Sequence, residues 1–393
     1  MFELDKVQSA LKEFGFDGWL LYDFRGSNKL ARRILNFSSA PLVTRRLYYM
    51  VPAEGAPTKL VHRIEPGVLD HLPGNKRVYL RWQQLDEEVA GLVRGMKRVA
   101  MEYSPRNAIP YVSKVDAGTV EVLRGAGVEV CSSADLIQYF EATLSEEQIL
   151  SHLAAEKLTT AAFSMCWKMI AEGVRGGKPC TETQIQQAIL NHFDKHDLVP
   201  EYPPIVAAGP HSGDPHFEPT PDTDSPIEDG DFVLIDLWAK LSTPRAIFSD
   251  ITRVGYVGRT VPAKYTQIFD VVAAARAAAI NLVRTRFAEG KPLRGWEVDD
   301  AARSVVERSG YGEYFVHRTG HSIGVEIHGS GANMDNLETH DDRLVLPNTL
   351  FSIEPGIYMK DFGVHLEVNV YVDRAGVVHI TGGIQEAVVP ILE

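Results

Sequence analysis

Four carboxylates and one imidazole in the C-terminal half of the chain sit in contexts suited to holding cations. They are Asp236 in DFVLIDLWAK, Asp250 in IFSDITRV, His321 in HRTGHSIG, Glu354 in FSIEPGIYM and Glu367 in GVHLEVNVYVD. Oxygen donors with a single imidazole suit hard or borderline divalent ions, and two such ions sharing a water make a hydrolytic centre. Asp236 lies inside the apolar run Val-Leu-Ile-Asp-Leu. A lone ionised carboxylate buried there is expensive unless it is paired or bound to metal. Asp250 repeats the pattern before Ile251-Thr-Arg253. One Asp after a strand is ordinarily a turn or cap, but two on successive strands are harder to dismiss. Glycines flank His321, which suggests a backbone that approaches something closely. Period-two alternation puts His365, Glu367 and Asn369 on one strand face. Taken singly, His321, Glu354 and Glu367 read as satisfied polar residues; the set of five carries the chemistry.

The elements that must position this set divide near residue 141. Before it, short apolar runs (Trp19–Tyr22, Leu47–Val51, Thr58–His62, Val78–Leu80, Val99–Met101, Val128–Val130) alternate with helical patterns, which predicts an α/β domain with a mixed sheet. No GxGxxG follows a strand, and Gly176-Gly177-Lys178 is followed by proline, so no nucleotide site is indicated. Ser145 with Gln148 is a capping-box signature for a long helix, and Thr181 or Thr183 starts a second. Tyr202 to Pro226 reads as largely loop. Strands are expected at 232–237, 247–254, 350–353, 368–372 and 377–380, and helices at 264–287 and 298–309.

Composition bounds the partners. At 393 residues two domains are expected, and a net charge of -12 without a basic run argues against nucleic acid and anionic membranes. Cys131, Cys166 and Cys180 lack CxxC spacing and read as reduced thiols. The N-terminal sequence has no apolar signal segment, and no apolar run of membrane-spanning length stands out. A cytoplasmic enzyme is the expectation.

In this order and context the five residues resemble those of the pita-bread metallopeptidases, a family of methionine aminopeptidases, Xaa-Pro aminopeptidases and Xaa-Pro dipeptidases (prolidases). The stretch Gly310 to His321 looks like their histidine-ligand region, and Ile353-Glu-Pro-Gly-Ile-Tyr358 like their first glutamate motif. The resemblance covers Ser145 to the C-terminus and, more weakly, the preceding 140 or so residues. It implies an α/β (α+β) architecture: a creatinase-like mixed-sheet domain over 1–141 and a pita-bread catalytic domain over 142–393. It implies two divalent metal ions, Mn²⁺ as first choice and Co²⁺ or Zn²⁺ as alternatives, and a homodimer. Asp236 would chelate one ion, Asp250 and Glu367 would bridge both, and His321 and Glu354 would complete the second. Glu354 would also be the general base, His328 would stand beside the scissile carbonyl, and His216 would orient the leaving group.

The implied activity is hydrolysis of Xaa-Pro dipeptides, a peptide substrate with proline second. The alternatives are an Xaa-Pro aminopeptidase acting on longer peptides, a metal-free creatinase-like hydrolase, and an inactive binding module. Some positions depart from the pattern. The two aspartates are 14 apart, which lengthens the hairpin between them, and His365 stands where many relatives have arginine. Val368 replaces a polar residue, and Gly329 an acidic one. Arg45, Arg46 and Arg318 are candidates for binding a substrate carboxylate.

Overall fold

A computed structural model describes residues 2–37 and 43–393. The chain forms two compact units, Met1–Glu141 and Ala142–Glu393.

The first unit is built on a six-stranded mixed sheet. Its strands are β1 (Gly18–Asp23), β2 (Leu47–Pro52), β3 (Thr58–His62), β4 (Asn75–Tyr79), β5 (Arg98–Met101) and β6 (Glu129–Ser132), in the order β4-β3-β2-β1-β5-β6. β1 pairs antiparallel with β2 and parallel with β5. All six residues of β1 are buried, as expected of a central strand covered on both faces. Alternation then sends Trp19 and Leu21 to one core and Leu20 and Tyr22 to the other. β4 begins three residues before the strand expected at Val78–Leu80. The reason is that β4 is an edge strand with four exposed residues, Asn75, Lys76, Arg77 and Val78, so it has little apolar signal; charged residues there discourage pairing with other chains.

In the second unit Ser145 accepts from the Gln148 N–H and Gln148 reciprocates, starting the helix Glu146–Arg175; Thr181 and Gln184 do the same for the helix Glu182–Lys195. These helices pack on a sheet of β7 (Leu198–Val199), β8 (Ile205–Ala208), β9 (Phe232–Leu241), β10 (Ser249–Tyr256) and a distant strand near the C-terminus. β8 lies inside the stretch read as loop. Its four residues, bounded by prolines, are too short to show a period, and pairing with β9 creates the strand. A second sheet joins β11 (Ser322–Ile323), β12 (Thr349–Ile353), β15 (Val368–Val372) and β16 (Val378–Thr381). Between them β13 (Gly356–Tyr358) and β14 (Gly363–His365) form a separate hairpin, and β17 (Val389–Pro390) is the last strand, parallel to β10. The helix Ala263–Ala288 is long and apolar enough to cross a bilayer by composition, but Ile268, Phe269, Val272, Ala275, Ala279, Ile280 and Val283 are buried in the main core.

Candidate metal centre

Strand register brings the aspartates together. β9 and β10 pair Asp236 with Thr252 and Trp238 with Asp250. Opposed residues of an antiparallel pair project to the same side, so Asp236 and Asp250, one diagonal step apart, share a face. The remaining three residues each sit one step beyond a strand. β12 and β15 end their ladder at the pair Ile353–Val368, and the same register sets Glu354 opposite Glu367. β11 and β12 pair Ser322 with Phe351, and His321 continues that ladder: the Ser352 N–H donates to its carbonyl at 2.9 Å. All three therefore gather at one end of the second sheet.

Hydrogen bonds sew this end to β10. Thr252 Oγ1 donates to Glu367 Oε2 at 3.0 Å, and the Asp250 N–H donates to Asn369 Oδ1 at 3.0 Å. Arg253, buried below, donates to the Glu367 carbonyl at 2.9 Å. Donor atoms of Asp250, His321 and Glu367 consequently lie within 4.8 Å of one another, all on buried residues. His321 Nε2 is 3.4 Å from both Asp250 Oδ2 and Glu354 Oε1. The His321 Nδ1 sits 3.1 Å from the Ser322 carbonyl, which accepts its proton and leaves Nε2 as a lone pair facing the carboxylates, the tautomer a metal ligand needs. Ser352 Oγ accepts from the His321 N–H and donates to Glu354 Oε1 at 2.8 Å, orienting both residues at once.

The electrostatics of the cluster call for positive charge. Burial raises the pKa of Asp236, Asp250 and Glu367, and repulsion among them and Glu354 adds to it. Glu354 behaves oppositely. Burial works to raise it, but the imidazoles of His321 and His365 outweigh that and hold its carboxyl well below the usual range. Asp236 Oδ1 and Glu367 Oε1 are buried without a hydrogen-bond partner. Orphaned carboxylate oxygens in a low-dielectric cluster are costly, and divalent cations would satisfy them. The donor set fits such ions.

The other expected residues are placed differently. His328 stacks edge-on against His321, ring centroids 4.5 Å apart, and burial of its ring pushes its pKa down to about 4. His216 lies in the loop after β8; its backbone N–H donates to Asp214 Oδ1, and among the described residues its exposed imidazole makes no hydrogen bond or ion pair. Arg318 is half-buried and close enough to His321 to act on its charge. Arg45 and Arg46 belong to the first unit.

Three residues that no motif assigned join the cluster. His365 Nε2 is buried 3.4 Å from Glu354 Oε2. His317 donates from Nδ1 to the Arg318 carbonyl and accepts at Nε2 from the Tyr358 hydroxyl, 2.9 Å away. Burial pushes the His317 imidazole down to about 4, so it is neutral at pH 7. For His365 the available signal was the alternation that puts it on the Glu367 face.

The glycine before His321 has a steric purpose. A Cβ at Gly320 would lie 2.0 Å from the Ser352 carbonyl oxygen, part of the backbone that holds His321. Gly320→Ala is expected to destabilise the protein by about 1–3 kcal/mol, the usual cost of overpacking. Urea unfolding checks this, and a change below about 0.5 kcal/mol would contradict it.

Residues 151–374 match the sequence profile of "Metallopeptidase family M24". An Xaa-Pro dipeptidase of Pyrococcus furiosus is 32% identical over 248 residues, 63% of this chain and 65% of that protein. An Xaa-Pro dipeptidase of Pyrococcus horikoshii is 28% identical over 305 residues, 77% of each chain. The matched region spans 64% and 55% of the length of two further bacterial relatives. In fold, the chain is similar to dipeptidase PepE of Mycobacterium ulcerans, with a TM-score of 0.71 over 99% of this chain and 96% of that one at 22% identity.

Proposed function

The chain belongs to metallopeptidase family M24, and from that premise we propose that it hydrolyses the Xaa-Pro bond of dipeptides at a pair of divalent cations. The observation that carries this is the convergence of Asp250, His321 and Glu367 beside two buried carboxylate oxygens that lack partners. Asp236, Asp250 and Glu367 would hold one cation; Asp250, Glu367, His321 and Glu354 the other. Four carboxylates would offset the four positive charges. Oxygen donors outnumber nitrogen, which makes Mn²⁺ the first choice over Co²⁺ or Zn²⁺. Bound there, the cations would lower the pKa of a shared water from about 15.7 towards 7 and polarise the scissile carbonyl.

The remaining steps fall to side chains. Glu354, kept ionised by its imidazole neighbours, takes a proton from the attacking water and delivers it to the departing nitrogen. That nitrogen must be protonated to leave, and in an Xaa-Pro bond it carries no hydrogen of its own. His328, whose ring stands 4.5 Å from that of His321, donates to the oxygen that gains charge. His216, on the exposed loop, contacts the leaving proline. A cytoplasmic homodimer completes the proposal.

The names of the two Pyrococcus relatives favour dipeptides. Ala-Pro and Ala-Pro-Ala, assayed with added Mn²⁺ and with chelator, test the proposal. Dipeptide turnover at least tenfold above tripeptide turnover, abolished by chelator, is expected. Efficient tripeptide cleavage with an inert dipeptide would replace it by an aminopeptidase; turnover indifferent to chelator would remove the metal.

A further inference from the structure

A second group of residues, entirely within the first unit, carries chemistry unrelated to the metal cluster. β1, β3 and β4 run in one direction and β2 in the other, so the carboxyl ends of three strands meet the amino end of the fourth. The residues there are Phe24-Arg25, His62-Arg63, Leu80-Arg81-Trp82 and, before β2, Arg45-Arg46. Each chain segment brings at least one arginine, in a chain whose net charge is -12. This convergence is a property of the topology and not of the composition. Open α/β sheets favour ligands at the carboxyl ends of their strands.

A cleft of about 610 Å³ opens at this end, walled by Tyr22, Arg45, Arg46, His62, Tyr79 and Trp82 among others. Its floor is fixed. The Tyr79 hydroxyl donates to the Arg46 carbonyl at 2.8 Å, and the His62 ring stands edge-on to Tyr79 with centroids 4.9 Å apart. Its mouth is apolar and open: Trp82 is 66% exposed and Leu80 50%.

The polar groups of the cleft are donors in excess. The Arg46 guanidinium makes no hydrogen bond or ion pair among the described residues, and Arg45 Nη1 donates only to Thr44, a neutral partner. His62 Nδ1 accepts from the Ile64 N–H, so in the neutral ring Nε2 carries the proton. The one wall carboxylate, Asp116, already accepts from Thr119 at both oxygens, from its N–H and its hydroxyl. The helix Trp82–Leu92 starts at the cleft with no acidic residue in its first turn and no side-chain cap. The arginines, the His62 N–H and the helix start favour an anion, and the hydrogen bonds from Thr119 engage the one opposing carboxylate.

We propose that this cleft binds a small organic anion: an α-carboxylate attached to an aromatic or bulky apolar side chain, as at the C-terminal residue of a peptide. The carboxylate pairs with the Arg46 guanidinium, and the side chain lies against the Trp82 ring. A bare phosphate would leave the aromatic wall unused, which is why the ligand needs an apolar body.

Isothermal titration of the full chain with N-acetyl-L-phenylalanine tests this, since acetylation removes the free amine of a dipeptide or aminopeptidase substrate. Saturable 1:1 binding is expected. Arg46→Ala and Trp82→Ala should each weaken it at least tenfold with unchanged circular dichroism, as should replacing the probe by its amide. Asp250→Asn should bind it as the parent protein does. Four results would each overturn the proposal: no saturable binding; equal binding of acid and amide; indifference to Arg46→Ala and Trp82→Ala; or loss of binding in Asp250→Asn, which would put the probe in the metal cluster. Competition by inorganic phosphate at equal concentration would remove the apolar half of the claim. Whether the protein is a dipeptidase has no bearing on any of these outcomes.

Discussion

Replacing Asp250 by asparagine or Glu367 by glutamine is expected to lower kcat/KM for an Xaa-Pro dipeptide by about a thousandfold or more. Both carboxylates are buried, and both stand with His321 in the tight group of donor atoms. Each substitution removes one negative charge and one donor oxygen from the cluster and leaves the shape of the side chain intact. If charge stabilisation by a cation supplies several kcal/mol, losing about 4 kcal/mol corresponds to about a thousandfold. The fold should survive, because a glutamine oxygen at 367 still accepts from Thr252 and the Asp250 backbone N–H still donates to Asn369. Bound metal should fall with activity, measured by elemental analysis of the purified variants. Thr252→Val is the informative contrast. It leaves every donor atom in place and removes only the hydroxyl that orients Glu367, so a loss of about 10- to 100-fold is expected. Activity near the parental level in Asp250→Asn or Glu367→Gln would remove the two-cation proposal altogether.

The parts of this site that could be read in the sequence share a physical cause. Asp236 and Asp250 stand out because a carboxylate inside an apolar run has no cheap explanation. Gly320 marks His321 because only a residue without a Cβ tolerates the Ser352 carbonyl at that distance. The six-stranded sheet of the first unit was legible for a similar reason: its central strands are apolar on both faces. His365 was legible only as a neighbour of Glu367 on one strand face, not as a partner of Glu354. In a strand it reads as one more polar face residue, and its contact with Glu354 arises only when the β13–β14 hairpin sets Gly356 opposite it. His317 and Tyr358 meet across 41 positions, a distance no local pattern reports. The misplaced edges β4 and β8 failed for the converse reason: pairing, not periodicity, makes them strands.

This chain puts a buried imidazole, His365, beside Glu354, at the position where the family resemblance leads one to expect arginine. The two differ in kind. Arginine is charged at every accessible pH, whereas the charge on His365 depends on its neighbours. Burial works against that charge, but Glu354 and the two aspartates outweigh it and raise the His365 pKa. With cations present, their positive charge competes for the same carboxylates. The cluster is therefore built so that its own imidazolium and a metal are alternative ways of balancing one excess of negative charge.

That excess makes stability after metal removal depend on pH in a direction opposite to ordinary acid denaturation. In the folded chain Asp236 is pushed up to about 7, and Asp250 and Glu367 are also raised, burial being the largest cause for each. An acid whose folded pKa exceeds its unfolded value, about 4, binds more protons folded than unfolded. Stability then falls as pH rises through that interval. Raised His365 acts in the same sense. Glu354 and the lowered histidines, His152, His192, His317, His321 and His328, act in the opposite sense. Glu354 has finished titrating in both states well below neutrality, and the histidines finish about one pH unit above their unfolded value of about 6.5. From about pH 7.5 upward the raised carboxylates decide the sign. Chelator-treated protein is thus expected to lose stability from pH 7.5 to 8.5, and Mn²⁺ to restore it by an amount that grows with pH. Asp250→Asn should raise the melting temperature of the metal-free protein and flatten its pH slope, although turnover is expected to be lost. Removing one like charge relieves the repulsion that cations otherwise neutralise, so activity and metal-free stability trade against each other at a single residue. Thermal unfolding at pH 7.5, 8.0 and 8.5, with chelator and with Mn²⁺, measures all three effects. A metal-free protein whose stability rises over that range would mean that these carboxylates do not share one uncompensated cluster.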